Sequence, residues 1–312
     1  MLTYLQAIVI GLLQGVTELF PVSSLGHSVL LPALIGGDWQ HLVTESASST
    51  SGTSPYLAFI VALHVATAVA LLIFFRADWA RIIRGFLRTL RPSFSARRIV
   101  TNDPDERLAW LLIIATIPVG LTGVLFEHTF RSLFAKPVAA AILLMINGLI
   151  LLAGEHLRRT APTDEPLEEH PAAADGTNTA VAVRTRSLAT LHYREAGVIG
   201  FFQTFALLAG ISRSGIAMVG GLARGLSHRD AARFSFLLAT PVILAAGLLK
   251  LPSLAGSAGA HIHGQVLVGA LAAAIAAYLS VRYLTRYFET RTLTPFAVYS
   301  LVVGGICLIR FA

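Results

Sequence analysis

Two short stretches of an otherwise apolar chain concentrate the groups that could do chemistry. Across residues 1–37 the only acidic, basic or histidine side chains are Glu18 and His27, and across residues 196–223 the only one is Arg213. The first stretch reads Gln14-Gly-Val-Thr-Glu18-Leu-Phe-Pro21-Val-Ser23-Ser24-Leu-Gly26-His27, the second Gly210-Ile-Ser212-Arg213-Ser214-Gly215. Gln14 and Glu18, four residues apart, share one face of a helix. Pro21 stops that helix, Ser23 and Ser24 are of the type that caps a returning one, and Gly26 lets backbone approach closely beside His27. The second stretch offers two hydroxyls, a guanidinium and the N–H groups of a turn ending at Gly215. Arginine presents a planar fork of donors that suits phosphate oxygens, and a helix N-terminus adds partial positive charge.

These groups suit phosphoryl transfer, which asks mainly for positioning and for stabilisation of charge on the phosphoryl oxygens. In the preferred scheme Ser24 attacks a terminal phosphorus, with His27, three residues on, as its base, because a serine hydroxyl is a weak nucleophile on its own. Glu18 orients His27 or holds a metal ion, and Arg213 with the 212–215 turn stabilises charge. In a second scheme His27 is itself the nucleophile or activates water, and Ser24 binds phosphate. Gln14, Ser23, Ser212, Ser214 and Gly215 are the supporting phosphate-binding candidates. A purely structural alternative makes Glu18 and Arg213 a buried ion pair with serine caps. His64 and Thr67, inside an apolar span, read as interhelical contacts that could border the site, and Asn147 reads as packing glue. His261 and His263 lack further ligands and read as solvated loop.

The composition says where such a site must sit. Of 312 residues 55% are hydrophobic and 13% charged, against about 45–50% and about 25% in soluble domains. That excludes a soluble globule and a disordered chain, and the single cysteine, Cys307, excludes a disulfide scaffold. The net charge of +7 would suit a nucleic-acid binder, but the arginines cluster between apolar segments, as in the cytoplasmic loops of a polytopic membrane protein, so no nucleic-acid partner is expected. The N-terminus lacks a cationic region and a cleavage site and reads as retained structure.

Apolar runs long enough to span a bilayer fall at residues 56–75, 108–126, 137–154, 232–251, 266–283 and 293–309. Residues 1–37 and 196–225 are broken midway by the two motifs and read as re-entrant helix-turn-helix hairpins, since a break at membrane depth survives only inside protein or beside a water-filled cavity. The arginine-rich 76–107 connection reads as a cytoplasmic loop, which makes the first hairpin enter from outside and the second from inside. Setting residues 10–28 over 199–217 pairs Gln14 with Gln203, Ser23 with Ser212, Gly11 with Gly200 and Gly26 with Gly215, one unit occurring twice, inverted in the membrane. The fold expected is therefore an all-α integral membrane protein with an inverted repeat, two re-entrant hairpins and about six transmembrane helices. It forms a single domain over 1–312, with repeat 1 about 1–154, a cytoplasmic loop about 155–195 and repeat 2 about 196–312. Residues 161–187 are polar and aperiodic and carry no assigned chemistry; residues 47–54 form a similar outer linker.

The motif from Gln14 to His27 resembles the (E/Q)xxxE and PVSSxGH signature of the bacterial undecaprenyl-diphosphate phosphatase family, also called the bacitracin-resistance family. Gly210 to Gly215 resembles its PGxSRSG motif, and Arg233-Phe-Ser-Phe-Leu-Leu-Ala-Thr-Pro241 and Thr294-Pro-Phe-Ala-Val-Tyr299 are also similar to it. The likeness covers nearly the whole chain except 161–187. It implies a membrane enzyme that removes the terminal phosphate of undecaprenyl diphosphate, regenerating the lipid carrier of peptidoglycan synthesis, with a site opening to the outer side. It implies Glu18, Ser24, His27 and Arg213 as the principal residues. The partners implied are a polyprenyl diphosphate and the bilayer; a homodimer is compatible with it. A Mg²⁺ or Ca²⁺ requirement is implied too, with Glu18 as ligand. Three positions depart from the pattern: Gln14 is neutral where Glu is frequent, Ala209 replaces Pro, and Ala217 stands where Thr is common. With one carboxylate in the hairpins, an ion that prefers several oxygens would be held by Glu18 plus diphosphate and water. The alternative from another class is a lipid or small-anion transporter, or flippase, built on the same inverted repeat; it needs no nucleophile and base.

Overall fold

A computed structural model of the chain describes residues 2–42, 55–126, 136–160, 186–250 and 262–312. The 47–54 linker, most of the 161–187 connection, His128 and His261 lie outside these residues. Among the described residues the regular structure is helical, with no strand beyond one isolated bridge between Arg186 and Leu226. The first hairpin comprises α1 (Tyr4–Thr17) and α2 (Ser24–Ile35); α3 (Pro55–Phe74), α4 (Arg76–Ala96), α5 (Pro104–Leu125) and α6 (Pro137–Thr160) follow. The second hairpin comprises α7 (Tyr193–Phe202), a 3₁₀ turn (Gln203–Leu207) and α8 (Arg213–Leu222), followed by α9 (His228–Lys250), α10 (His263–Tyr287) and α11 (Thr294–Phe311). Five of these helices are long and apolar enough to cross a membrane, and α3 with α4, bent 86° from it, makes a sixth candidate if the pair is taken as one span. The protein is thus a multi-pass, all-α membrane protein.

One element departs from the sequence reading. The 76–107 segment is not a loop throughout: α4 is a 21-residue helix turned nearly perpendicular to α3. Its apolar residues Ile83, Leu87, Leu90 and Phe94 recur at helical spacing between arginines and stay exposed, the pattern of a helix lying in the interface plane. The arginine density hid that period.

Small residues set the packing. Gly11 and Gly15 on α1 press against the backbone of α10 at Gly269 and Ala273, and Gly200 on α7 presses against Ala115 on α5, so a β-carbon at Gly11 or Gly200 would collide with the facing main chain. α3 packs on α10 as α9 packs on α5, while α6 packs on α11 and α3 on α9. Leu267, Leu271, Ile275 and Leu279 of α10, each over 50% exposed, form an apolar stripe on the outside of the bundle, the face a membrane helix turns to lipid.

Basic and acidic groups join at one end of the bundle. Asp78 of α4 binds Arg81 at 2.6 Å and Arg233 of α9 at 2.7 Å, and Arg186 binds Glu195 at 3.2 Å. Glu155 of α6 receives His228 at 2.7 Å and the Leu293 N–H at 2.6 Å, tying α6 to the starts of α9 and α11.

Candidate active site

The two hairpin breaks meet. α1 begins with a capping box between Thr3 and Gln6 and ends at Thr17, four residues before Pro21. The chain then turns through residues 18–22 and restarts as α2, with Ser23 as N-cap. Ser23 takes φ 68°, a conformation a side chain rarely adopts, and strain of this kind costs about 1–3 kcal/mol unless the surroundings enforce it. Here they do: Ser23 Oγ accepts from Gly26 N–H at 3.2 Å and from Gly210 N–H in the opposite hairpin at 3.1 Å. Gly210 has φ 121°, and a β-carbon there would strike α6 at Ala140 and Leu143. α8 repeats the device, with Ser212 as N-cap accepting from Gly215 N–H at 3.0 Å. Positions paired by the sequence repeat therefore do the same structural work.

Asn147, on α6, spans both breaks. Its Nδ2 donates to Pro21 O at 2.9 Å and to Ser300 Oγ at 3.3 Å, and its Oδ1 accepts from Ser212 N–H at 2.9 Å. Asn147→Ala strands the Ser212 N–H and the Pro21 carbonyl, and buried unsatisfied groups cost about 1–3 kcal/mol each. A clear fall in thermal midpoint of the detergent-solubilised protein is expected; an unchanged midpoint would show that the bridge holds nothing.

Glu18 is the centre of the site and is buried. Its Oε2 accepts from Ser24 Oγ at 2.5 Å and Gln14 Nε2 at 3.0 Å and lies 3.3 Å from His64 Nε2, while its Oε1 accepts from Arg213 Nη2 at 2.8 Å. Arg213 thus crosses from the second hairpin to the first. Two buried polar atoms here have no partner, Arg213 Nη1 and Gln14 Oε1. An orphaned guanidinium nitrogen is a donor without an acceptor. A cavity of about 230 Å³ opens at this point, lined by Glu18, Ser23, Ser24, His64, Ser212 and Arg213 on its polar side and by residues such as Ile60, Ile211, Val242 and Ile243 on the other.

His27 is not where the sequence scheme needs it. Its Nδ1 donates to the Ser23 carbonyl at 2.8 Å, and its Nε2 meets Tyr299 Oη on α11 at 2.8 Å, so neither ring nitrogen is free for Ser24. The reason is local: on a helix the imidazole reaches back to the carbonyl one turn earlier. The expected Ser24–His27 pair is replaced by Ser24–Glu18, and the imidazole at the carboxylate is His64. His64 Nδ1 lies 2.8 Å from the Ile60 carbonyl, and Nε2 lies 3.3 Å from Glu18 Oε2. An ionisable side chain inside an apolar span was the signal for His64. Of the supporting candidates, Ser212 and Ser214 share a 3.0 Å hydrogen bond, Ser214 also reaches the Phe20 carbonyl, and Gly215 packs beside Pro21 and Leu151. Gln14, His27, Ser214 and Gly215 stand behind the cavity wall rather than lining it.

The donor set does not fit a protein-held divalent ion. Glu18 is the only carboxylate, both of its oxygens face donors, and two of those donors are Arg213 and His64; among the described residues no cluster of three His, Cys, Asp or Glu exists. Mg²⁺ or Ca²⁺ titrated into the protein without diphosphate is expected to give no saturable heat below about 1 mM, weaker than dedicated oxygen sites. Tight binding to the protein alone would contradict this.

Fold and site define a class: a polytopic membrane protein with a serine, a carboxylate and an arginine brought together by two broken hairpins. Residues 7–306 match the family model described as bacitracin resistance protein BacA, and the chain belongs to this family. It is 64% identical to undecaprenyl-diphosphatase 2 of Frankia alni over the whole of this chain and 98% of the relative. It is 56% identical to undecaprenyl-diphosphatase of Mycolicibacterium paratuberculosis, again over the whole chain and 98% of the relative. To undecaprenyl-diphosphatase 2 of Chromobacterium violaceum it is 41% identical over 98% of each.

Proposed function

We propose that the protein hydrolyses undecaprenyl diphosphate to undecaprenyl phosphate and inorganic phosphate, recycling the carrier for peptidoglycan synthesis and conferring bacitracin resistance. The observation that carries this reading is the 2.5 Å hydrogen bond from Ser24 to Glu18, with Arg213 on the same carboxylate and one guanidinium nitrogen free. Ser24 Oγ attacks the terminal phosphorus and gives its proton to Glu18. The bond to the bridging oxygen breaks, and the polyprenyl phosphate leaves as an anion that needs no strong acid. Glu18 passes that proton to an oxygen of the departing lipid phosphate; the re-ionised carboxylate then takes a proton from the water that cleaves the phosphoserine and returns it to Ser24 Oγ as phosphate leaves. Arg213 Nη1 and the first-turn N–H groups of α8 hold the phosphoryl oxygens, and the positive charge of Arg213 beside His64 favours an anion. His27 is a positioning residue that locks the strained Ser23 turn. A divalent ion, where required, arrives with the diphosphate oxygens, and no step is routed through it.

The two halves, about 1–154 and 196–312, are read as inverted repeats joined by a cytoplasmic 155–195 connection, with the site opening outward. The gathering of arginines at one end of the bundle supports this sidedness. Both hairpins of the site come from one chain, so catalysis needs no second copy, and a dimer would add none of the site residues described. The test is phosphate release from undecaprenyl or farnesyl diphosphate by the purified protein, with and without Mg²⁺ or Ca²⁺. Release supports the reading; no release under any condition, with transport of the lipid in vesicles, favours the transporter.

A further inference from the structure

Charge along the 76–107 segment is unevenly matched. Asp78 pairs with Arg81 and Arg233, Asp105 with Arg81, and Asp103 and Glu106 with Arg88. Towards the end of α4, Arg91, Arg97 and Arg98 are exposed and have no acidic partner among the described residues. Arg97 and Arg98 border a groove of about 370 Å³ whose walls include Leu90, Phe94 and Trp110 and no acidic side chain. The chain leaves α4 by a left-handed turn at Arg97, φ 50°. In it the Arg97 N–H donates to the Phe94 carbonyl at 3.3 Å and the Arg98 N–H to the Ser93 carbonyl at 3.2 Å. Glycine is the usual residue in such a turn, and arginine there places two guanidinium groups in succession at the groove. The other polar side chains are engaged: Ser93 Oγ accepts from Val100 N–H and Trp110 Nε1 donates to Thr89 Oγ1, both at 3.0 Å. Phe94 is 90% exposed and continues the apolar face of Leu87 and Leu90.

We propose that this groove binds the headgroup of an anionic phospholipid, its phosphate on Arg97 and Arg98 and its acyl chains along Leu90 and Phe94. Phosphate oxygens suit the guanidinium fork, and basic sites beside membrane helices take anionic headgroups. A zwitterionic lipid brings a cation that the groove has no acid to receive. A free anion would leave Leu87, Leu90 and Phe94 in water, whereas a helix with arginines flanking an apolar face lies at a lipid surface. The groove shares no residue with the cavity at Ser24, so it is a second lipid site, independent of the chemistry there. The competing role for the two arginines is to offset the negative end of the α4 dipole.

The test titrates the purified protein, in a neutral detergent, with phosphatidylglycerol, phosphatidylcholine or inorganic phosphate, reading bound lipid by native mass spectrometry and the thermal midpoint beside it. One phosphatidylglycerol is expected to bind saturably, and phosphatidylcholine at least about tenfold more weakly. Arg97→Gly with Arg98→Ala, which keeps a residue suited to the left-handed turn, should weaken phosphatidylglycerol about thirtyfold, each basic residue near an anionic lipid contributing about fivefold. Arg84→Ala with Arg91→Ala removes equal charge outside the groove and should change binding less than about threefold at physiological salt, where charge is screened beyond about 8 Å. Phe94→Ser is the second variant should the first not fold, expected to weaken binding about tenfold through lost acyl contact. Equal loss in the two double variants, equal binding of phosphatidylcholine, or an equal rise in midpoint with inorganic phosphate overturns the proposal. So does unchanged lipid affinity with a lowered midpoint, the result if the arginines serve only the end of α4.

Discussion

Ser24→Ala is expected to lower phosphate release by at least about 10³-fold, because removing a nucleophile leaves only binding and charge stabilisation. The size follows from geometry. Ser24 is the one hydroxyl within 2.5 Å of the Glu18 carboxylate, and Ser23, its neighbour, has its oxygen committed to two backbone N–H groups. A water molecule filling the alanine's place would lack the orientation that the start of α2 imposes on Ser24. Folding should survive, since Ser24 is the first residue of α2 and not its cap. Phosphate release by the purified variant, beside its thermal midpoint, is the check. A variant with more than about a tenth of wild-type activity, well above the fall expected for a lost nucleophile, would remove Ser24 from the chemistry.

Arg213→Ala is expected to cost about 10³-fold or more, the scale on which a single arginine acts in phosphoryl transfer. Arg213 uses Nη2 on Glu18 and leaves Nη1 free. In the proposed mechanism it performs two tasks, orienting the base and receiving the phosphoryl oxygens. Lysine, a point donor without the planar fork, can do one at a time, so Arg213→Lys should recover only a small part of the loss. Removal of the guanidinium also leaves a buried carboxylate with one cationic partner fewer, so a lower thermal midpoint accompanies the loss of rate. The kinetic signature separates the effects: a fall in kcat with folded protein marks lost transition-state stabilisation. Equal activity of the lysine variant would contradict the bidentate role.

The breaks in the two hairpins are legible because proline, glycine and serine interrupt long apolar runs, and the capping serines Ser23 and Ser212 are legible from their place just before the returning helices. Structure gives each of these the same task, capping the returning helix. The bridge from Asn147 to both breaks was not legible, since a lone amide in an apolar helix fits general packing equally well. His64 reads from sequence only as a contact that could border the site, for a related reason: it lies far from Glu18 in sequence, whereas His27 lies three residues from Ser24. Proximity along the chain misled there, because the imidazole of His27 bonds the carbonyl one turn back and continues to Tyr299. The amphipathic period of α4 was masked by its arginines, which carried the topology argument instead.

The most direct test of the central claim is to trap the phosphorylated residue. Farnesyl diphosphate labelled in its terminal phosphate is mixed with excess enzyme, quenched within one turnover and analysed by peptide mass spectrometry. The account predicts label on Ser24, a phosphoserine that survives acid, and far less of it in Glu18→Gln, where Ser24 has lost the base that takes its proton. Label on His27 or His64, or label on no residue while phosphate is released in full, would contradict it.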